Sequence, residues 1–232
     1  MADRYLAAGD AATAGSLYCI LLEKVIVHFE GWWPEWDGNG DVSSAVSDCI
    51  EGLAICLEKV ADVKTRQPWL EVLLAAYFED VRQGGIDYFW SADGHLLEQA
   101  TDEEWRWIEK EVREEIDRRE NWGRTALVGF LTARLEMTGQ EKEADDFVLA
   151  HGTADQRAHL LLNRGRIEEA IEVARQHFAG RPGLVIDFAN RLEDAGHAED
   201  ARGYITEQVE DPYGSHYRLW LAANYEEHGD LE

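Results

Sequence analysis

Residues 31–41, GWWPEWDGNGD, bring this chain closest to a metal-binding loop. On the calcium-loop spacing, Asp37, Asn39, Asp41, Ser43, Ala45 and Asp48 fall at positions 1, 3, 5, 7, 9 and 12. The tight turn needs glycine where Val42 stands, and the closing bidentate glutamate is replaced by the shorter Asp48. No metal ligand is therefore expected. The segment reads as a turn between helices, with Asp41 as N-cap of the next one. The indoles beside it, Trp32, Trp33 and Trp36, form a partner-contact patch if exposed together. If buried, they seal the first helical hairpin.

Other chemistry is sparse. The eight histidines form no H-E-x-x-H or other ligand spacing. His177, His197 and His216 fall near expected helix ends, where the last carbonyls attract them. Cys19, Cys49 and Cys56 are odd in number, lack C-x-x-C spacing and lie in apolar helical patterns, as buried thiols of a reducing compartment do. No nucleophile elbow, P-loop or dinucleotide fingerprint occurs. Glu79/Asp80 or Asp80/Asp87 can be drawn as a general acid and base, but 47 acidic residues make such pairs by chance. No catalytic residue and no cofactor is expected, and an enzyme of unknown type is a second alternative to the reading given below. Two further aromatic features are candidate contacts. Tyr88, Phe89 and Trp90 follow Gly84-Gly85 and belong either to a core or to a binding surface. Trp107 lies off its helix stripe and either packs on a neighbouring helix layer or is exposed for binding.

The elements that must position these residues are helical. Trp105, Ile108, Val112 and Ile116 make one stripe, and Thr101 with Glu104 spells a capping box. Thr153 with Gln156 repeats that box, and Pro68 suits the first turn of a helix through WLEVLLAAYF. Gly84-Gly85 ends that helix near Arg82. Alternating strand patterns are absent. LYCILLEKVIVHF (17–29) is interrupted by Glu23 and Lys24, so no membrane span is expected.

A register recurs along the chain: a small residue, then a large apolar one, Gly four later and Ala five after that. It reads Ala158/Leu161/Gly165/Ala170 and Ala189/Leu192/Gly196/Ala201. Thr132/Leu135/Gly139/Ala144 precedes them, Ala222/Tyr225/Gly229 follows in part, and Ala2/Tyr5/Gly9/Ala14 opens the chain. The later glycines are 26, 31 and 33 residues apart, the scale of a helical-hairpin repeat. The expected architecture is all-α, an α-solenoid of antiparallel, TPR-like hairpins. Residues 1–121 form a less regular helical part that continues into repeats over 122–232. Because the first and last copies are incomplete, the chain is expected to be an excised piece or to be completed by a partner.

HLLLNRGRIEEAIEVA (159–174) and DFANRLEDAGHAEDA (187–201) resemble the helical region of bacterial SWIM zinc-finger proteins. WDGNGD, GLAICLEKV (52–60) and FEDVRQGGIDYF (78–89) are similar to that family's middle region. The family's C-x-C and C-x-H finger is absent, so DNA or metal binding does not carry over. The resemblance implies a bacterial origin and membership of a larger assembly.

Charge bounds the partners. The net charge of −25 is spread over both halves and repels nucleic-acid phosphates and anionic lipid. The expected function is a non-enzymatic, cytoplasmic protein-interaction scaffold whose acidic surface recruits a basic protein, with no direct nucleic acid and no membrane. An acidic nucleic-acid mimic or regulatory subunit, occupying a basic groove of a nucleic-acid-binding partner, is the alternative.

Overall fold

Capping chemistry sets the helix boundaries in the computed structural model, which describes residues 1–32, 40–85, 88–89, 91–210 and 212–227. Among these residues there are thirteen helices and no strand. Seven lie in residues 1–140: α1 (Ala2–Ala7), α2 (Ala11–Trp32), α3 (Asp41–Lys59), α4 (Val63–Arg82), α5 (Ala92–Gln99), α6 (Asp102–Ile116) and α7 (Asn121–Met137). Six lie beyond: α8 (Glu141–His151), α9 (Ala154–Asn163), α10 (Ile167–His177), α11 (Pro182–Asp194), α12 (Ala198–Glu207) and α13 (Gly214–Glu227). The chain divides into two units, Met1–Gln140 and Glu141–Glu232. α7, which the register places with the repeats, packs in the first unit on α4, α5 and α6.

Both capping boxes form as the sequence spells them. Thr101 and Glu104 exchange bonds at the start of α6, and Thr153 and Gln156 do so at the start of α9. Two starts differ from expectation. α4 begins at Val63, capped by the Asp62 side chain on the Thr65 N–H (2.9 Å), so Pro68 sits inside the helix and not in its first turn. The Asp62 cap supplies a nucleation point upstream of the apolar run. α3 is N-capped by Gly40, and Asp41 is its first residue, a carboxylate on the positive end of the helix.

The recurring register has a local explanation. At Gly9, Gly139, Gly165 and Gly196 the backbone is left-handed, with φ of 84°, 73°, 71° and 86°. At each, the next N–H donates to the carbonyl of the register's large apolar residue: Asp10 to Tyr5 (2.9 Å), Gln140 to Leu135, Arg166 to Leu161 and His197 to Leu192 (each 2.8 Å). That is the Schellman bond pattern, with glycine avoiding the Cβ penalty of the turn. Gly85 closes α4 in the same way, its N–H donating to Asp80 (3.0 Å).

In the second unit α9 packs on α10, and α11 on α12. Ala158, Ala170, Ala189 and Ala201 are fully buried, which lets the helices approach closely, and Phe188 stands edge-on to Phe178 and Tyr204. The partial copy behaves differently. Ala222 and Tyr225 are exposed on α13, whose inward residues are Tyr217 and Asn224. Tyr225 instead lies under the Arg202 guanidinium at 4.5 Å.

In the first unit α2 packs on α1, α3 and α4 through Tyr18, Cys19, Leu22 and Phe29. Its window Ala11–Phe29 is nevertheless long and apolar enough to cross a membrane by length and composition, with mean hydropathy 1.3, despite Glu23 and Lys24. Gly15 and Gly52 set the close crossings here, because a Cβ at either would collide with the Trp69 or Tyr18 ring. Arg66, buried, ties four helices together. It donates to Glu104 Oε1 and Oε2 (2.7 and 3.0 Å) at the start of α6, to Leu57 and Val60 (3.2 Å) at the end of α3, and to the Gln99 carbonyl (2.7 Å) at the end of α5.

Candidate functional site

α4, α5 and α7 enclose a cleft of about 600 Å³ in the first unit. Tyr77 and Phe130 face each other in its floor at 4.9 Å, with Phe89 buried beside them. The Tyr77 hydroxyl donates to the Ala126 carbonyl on α7 (3.1 Å). Burial pushes the Tyr77 phenol above its ordinary range, and the carboxylates of Asp93 and Asp80 add to the effect. Both acids line the cleft. Asp80 accepts from the Tyr88 backbone N–H (3.2 Å), while Asp93 is exposed in the first turn of α5 and offsets that helix end's partial positive charge. Among the described residues that line the cleft there is no lysine, arginine or histidine.

The α7 wall is low because Ala126, Gly129 and Ala133 face the opening. Trp122 stands on the rim, 46% exposed. Its ring lies against Gly85, where a Cβ would strike it, so the left-handed glycine after α4 also seats the indole. Two non-glycine residues with positive φ, Ser91 (69°) and Asn121 (51°), stand at the starts of α5 and α7. Ser91 is held by its hydroxyl on Glu51 Oε1 of α3 (3.0 Å), which His95 also meets (3.1 Å). Left-handed non-glycine backbone of this kind persists only where surrounding contacts fix it.

A second, shallower hollow of about 420 Å³ lies between α4 and α6. Leu74, Phe78 and half-buried Trp107 form its apolar surface, with Glu71 and Glu111 beside them. It too has no cationic lining residue. α4 is thus a shared wall for two hollows, each pairing aromatic rings with two carboxylates.

The other sequence candidates fall as follows. Tyr88 and Phe89 are buried and pack on Phe29 at 4.9 and 5.3 Å, so they are core residues and not an exposed patch. Trp33, Trp36 and Trp90 lie outside the described residues, as do Asp37, Asn39, Asp87 and the side chain of Trp32. The cleft itself was missed. Among its residues only Phe89, as a candidate contact, and Asp80, in a chance acid pair, drew attention, because Tyr77, Asp93, Trp122 and Phe130 meet only through packing.

The buried carboxylates outside the cleft are engaged in structure. Glu79, Glu104 and Glu115 are buried carboxylates, bonded respectively by Arg82, by Arg66, and by Arg118 with Arg119. Of the histidines expected at helix C-termini, His177 ends α10. His197 instead N-caps α12 and bonds Asp200 (3.2 Å), and His216 is in the first turn of α13, because Gly196 and Gly214 end one segment and begin the next. Burial pushes the Cys19 and Cys56 thiols up to about 11, with Glu23 adding to the effect at Cys19. Among the described residues no group of three His, Cys, Asp or Glu could hold a metal ion. Comparison of the chain with family models, curated proteins and solved structures gives no match.

Proposed function

We propose that this chain is a non-enzymatic scaffold whose acidic surface recruits a partner protein bearing a basic one. The observation that carries the reading is the pair of hollows sharing α4, each lined by aromatic rings and two carboxylates, with no cation among the described lining residues, on a chain of net charge −25. Aromatic anchors with a complementary rim are what interfaces use, and complementary charge speeds encounter and selects partners. The glycine-closed pairs α9–α10 and α11–α12 support an α-solenoid, TPR-like arrangement within the second unit, Glu141–Glu232, a design that offers extended binding surfaces. The resemblance to SWIM zinc-finger proteins supports a bacterial multi-protein system as the scaffold's setting, and the unpaired cysteines support a reducing, cytoplasmic one.

Affinity purification of the full-length protein from its native cells, at low and high salt, tests this. A stoichiometric protein partner lost as salt rises is expected, and recovery of none would refute the scaffold. The net charge also supports a second reading, a nucleic-acid mimic seated in a basic groove. In that case the recovered partner binds DNA or RNA, and nucleic acid competes with this chain for it.

A further inference from the structure

We propose that the cleft between α4, α5 and α7 receives an arginine side chain carried on a basic segment of the partner. The proposal rests on the scaffold reading and names its anchoring site. At about 600 Å³ the cleft lies within the range of built small-ligand pockets, about 300–1,000 Å³. Its chemistry is that of a receptor for an organic cation. Tyr77, Phe89 and Phe130 supply aromatic surface, Trp122 an indole half open to solvent, and Asp80 and Asp93 negative charge. A cation within about 6 Å of a ring centroid is drawn to its face, most strongly for tryptophan.

The chain already pairs these groups elsewhere. Arg134 lies 5.1 Å from the Trp105 ring centroid while donating to Asp102 (3.0 Å). The cleft presents an indole and one acid of such a set, Trp122 and Asp93, toward solvent, with half-buried Asp80 adding charge behind them. Arginine is favoured over lysine because its planar guanidinium can stack on an indole and still offer a fork of N–H donors to a carboxylate. It also sheds its water at lower cost. The indole is positioned for this beforehand. Gly85 backs it, and the start of α5, which carries Asp93, is anchored by the Ser91 hydroxyl on Glu51.

The test uses the whole chain labelled with 5-fluorotryptophan, the Trp122 fluorine resonance being identified by its loss in Trp122→Phe. The probes are a short arginine–glycine peptide, the same peptide with citrulline for arginine, and arginine amide and tetramethylammonium as small cations. The arginine peptide should shift the Trp122 resonance and the citrulline peptide should not. Asp93→Asn should weaken the arginine peptide roughly 3- to 10-fold, as for an accessible ion pair on a ring-lined site, while the melting temperature falls by no more than a few degrees, as loss of one exposed helix-end charge does. Glu103→Gln, an exposed acid of α6 outside both hollows, should leave binding unchanged.

Binding that leaves the Trp122 resonance and the Asp93→Asn affinity unmoved would overturn the cleft assignment while leaving the scaffold standing. Absence of peptide binding at low salt would overturn it as well. Small cations that bind as tightly as the peptide would reassign the cleft to a free metabolite-like amine and overturn the proposed occupant. Failure of the scaffold is read separately, from the affinity purification.

Discussion

Replacing Arg66 by methionine should be the most damaging single change outside the apolar core. Methionine matches the aliphatic stem but leaves the Glu104 carboxylate, almost wholly buried, without its cation. It also removes the donor from the Leu57, Val60 and Gln99 carbonyls, where α3 and α5 end. Removing one partner of a buried ion pair costs about 3–5 kcal/mol, a large share of a total stability of about 5–15 kcal/mol. For a unit of this size the melting temperature should fall by roughly 10–20 °C. Tryptophan fluorescence is the assay, because eight of the nine indoles lie in residues 1–140. Glu104→Gln is the milder partner variant, since glutamine keeps the capping-box acceptor. A cycle through Arg66→Met, Glu104→Gln and the double variant should give a coupling of at least about 1 kcal/mol.

Acid supplies an independent check. Burial works against the Glu104 charge, but the bonds from Arg66 and Thr101 outweigh it and hold the carboxyl below its ordinary value of 4.5. A carboxyl depressed in the folded state stabilises the fold above the unfolded value, and that contribution disappears as pH falls through the folded one. The gap in stability between wild type and Glu104→Gln should therefore close as pH drops below about 4.5. A loss under about 1 kcal/mol for Arg66→Met, or a gap indifferent to acid, would refute the claim that this pair joins the four helices.

Glycine substitutions should split by sign. Gly165→Ala and Gly196→Ala meet no neighbour but force a left-handed side chain, and chemical denaturation should show a loss of about 1–2 kcal/mol each. Gly203→Ala, inside α12 with open space and no positive φ, should instead gain about 0.5–1 kcal/mol, and equal effects at the two kinds of site would contradict the turn assignment. Gly15→Ala and Gly52→Ala press a methyl into Trp69 and Tyr18, so thermal melts should show losses of about 1–3 kcal/mol, and unchanged melts would mean those crossings are looser than they stand here. Cys19 and Cys56, with thiols raised to about 11, should resist alkylation at pH 8 in the native protein and react on unfolding, as followed by mass spectrometry.

Local chemistry was legible in the sequence because it needs only a few consecutive residues. The two capping boxes, the α6 stripe and the turn glycines follow from helical period and backbone sterics. The Schellman bonds show why the register exists: Gly must follow the large apolar residue by four for the turn to close on its carbonyl. The same locality explains the errors. Asp62 outbid Pro68 as the start of α4, and the register's last copy looked outward in α13 because burial depends on what lies opposite a helix.

The cleft and the Arg66–Glu104 pair were invisible for one shared reason. Glu104 lies 38 residues from Arg66, and Trp122 and Asp93 come to Tyr77 from separate helices. Their meeting is fixed by crossing angles, and these are set at close contacts such as Gly15 on Trp69 and Gly85 on Trp122. The sequence by itself determined that the chain is helical, where its helices turn and that it is strongly acidic. Only the tertiary structure decided which acids and rings face one another, because that depends on packing between segments far apart along the chain.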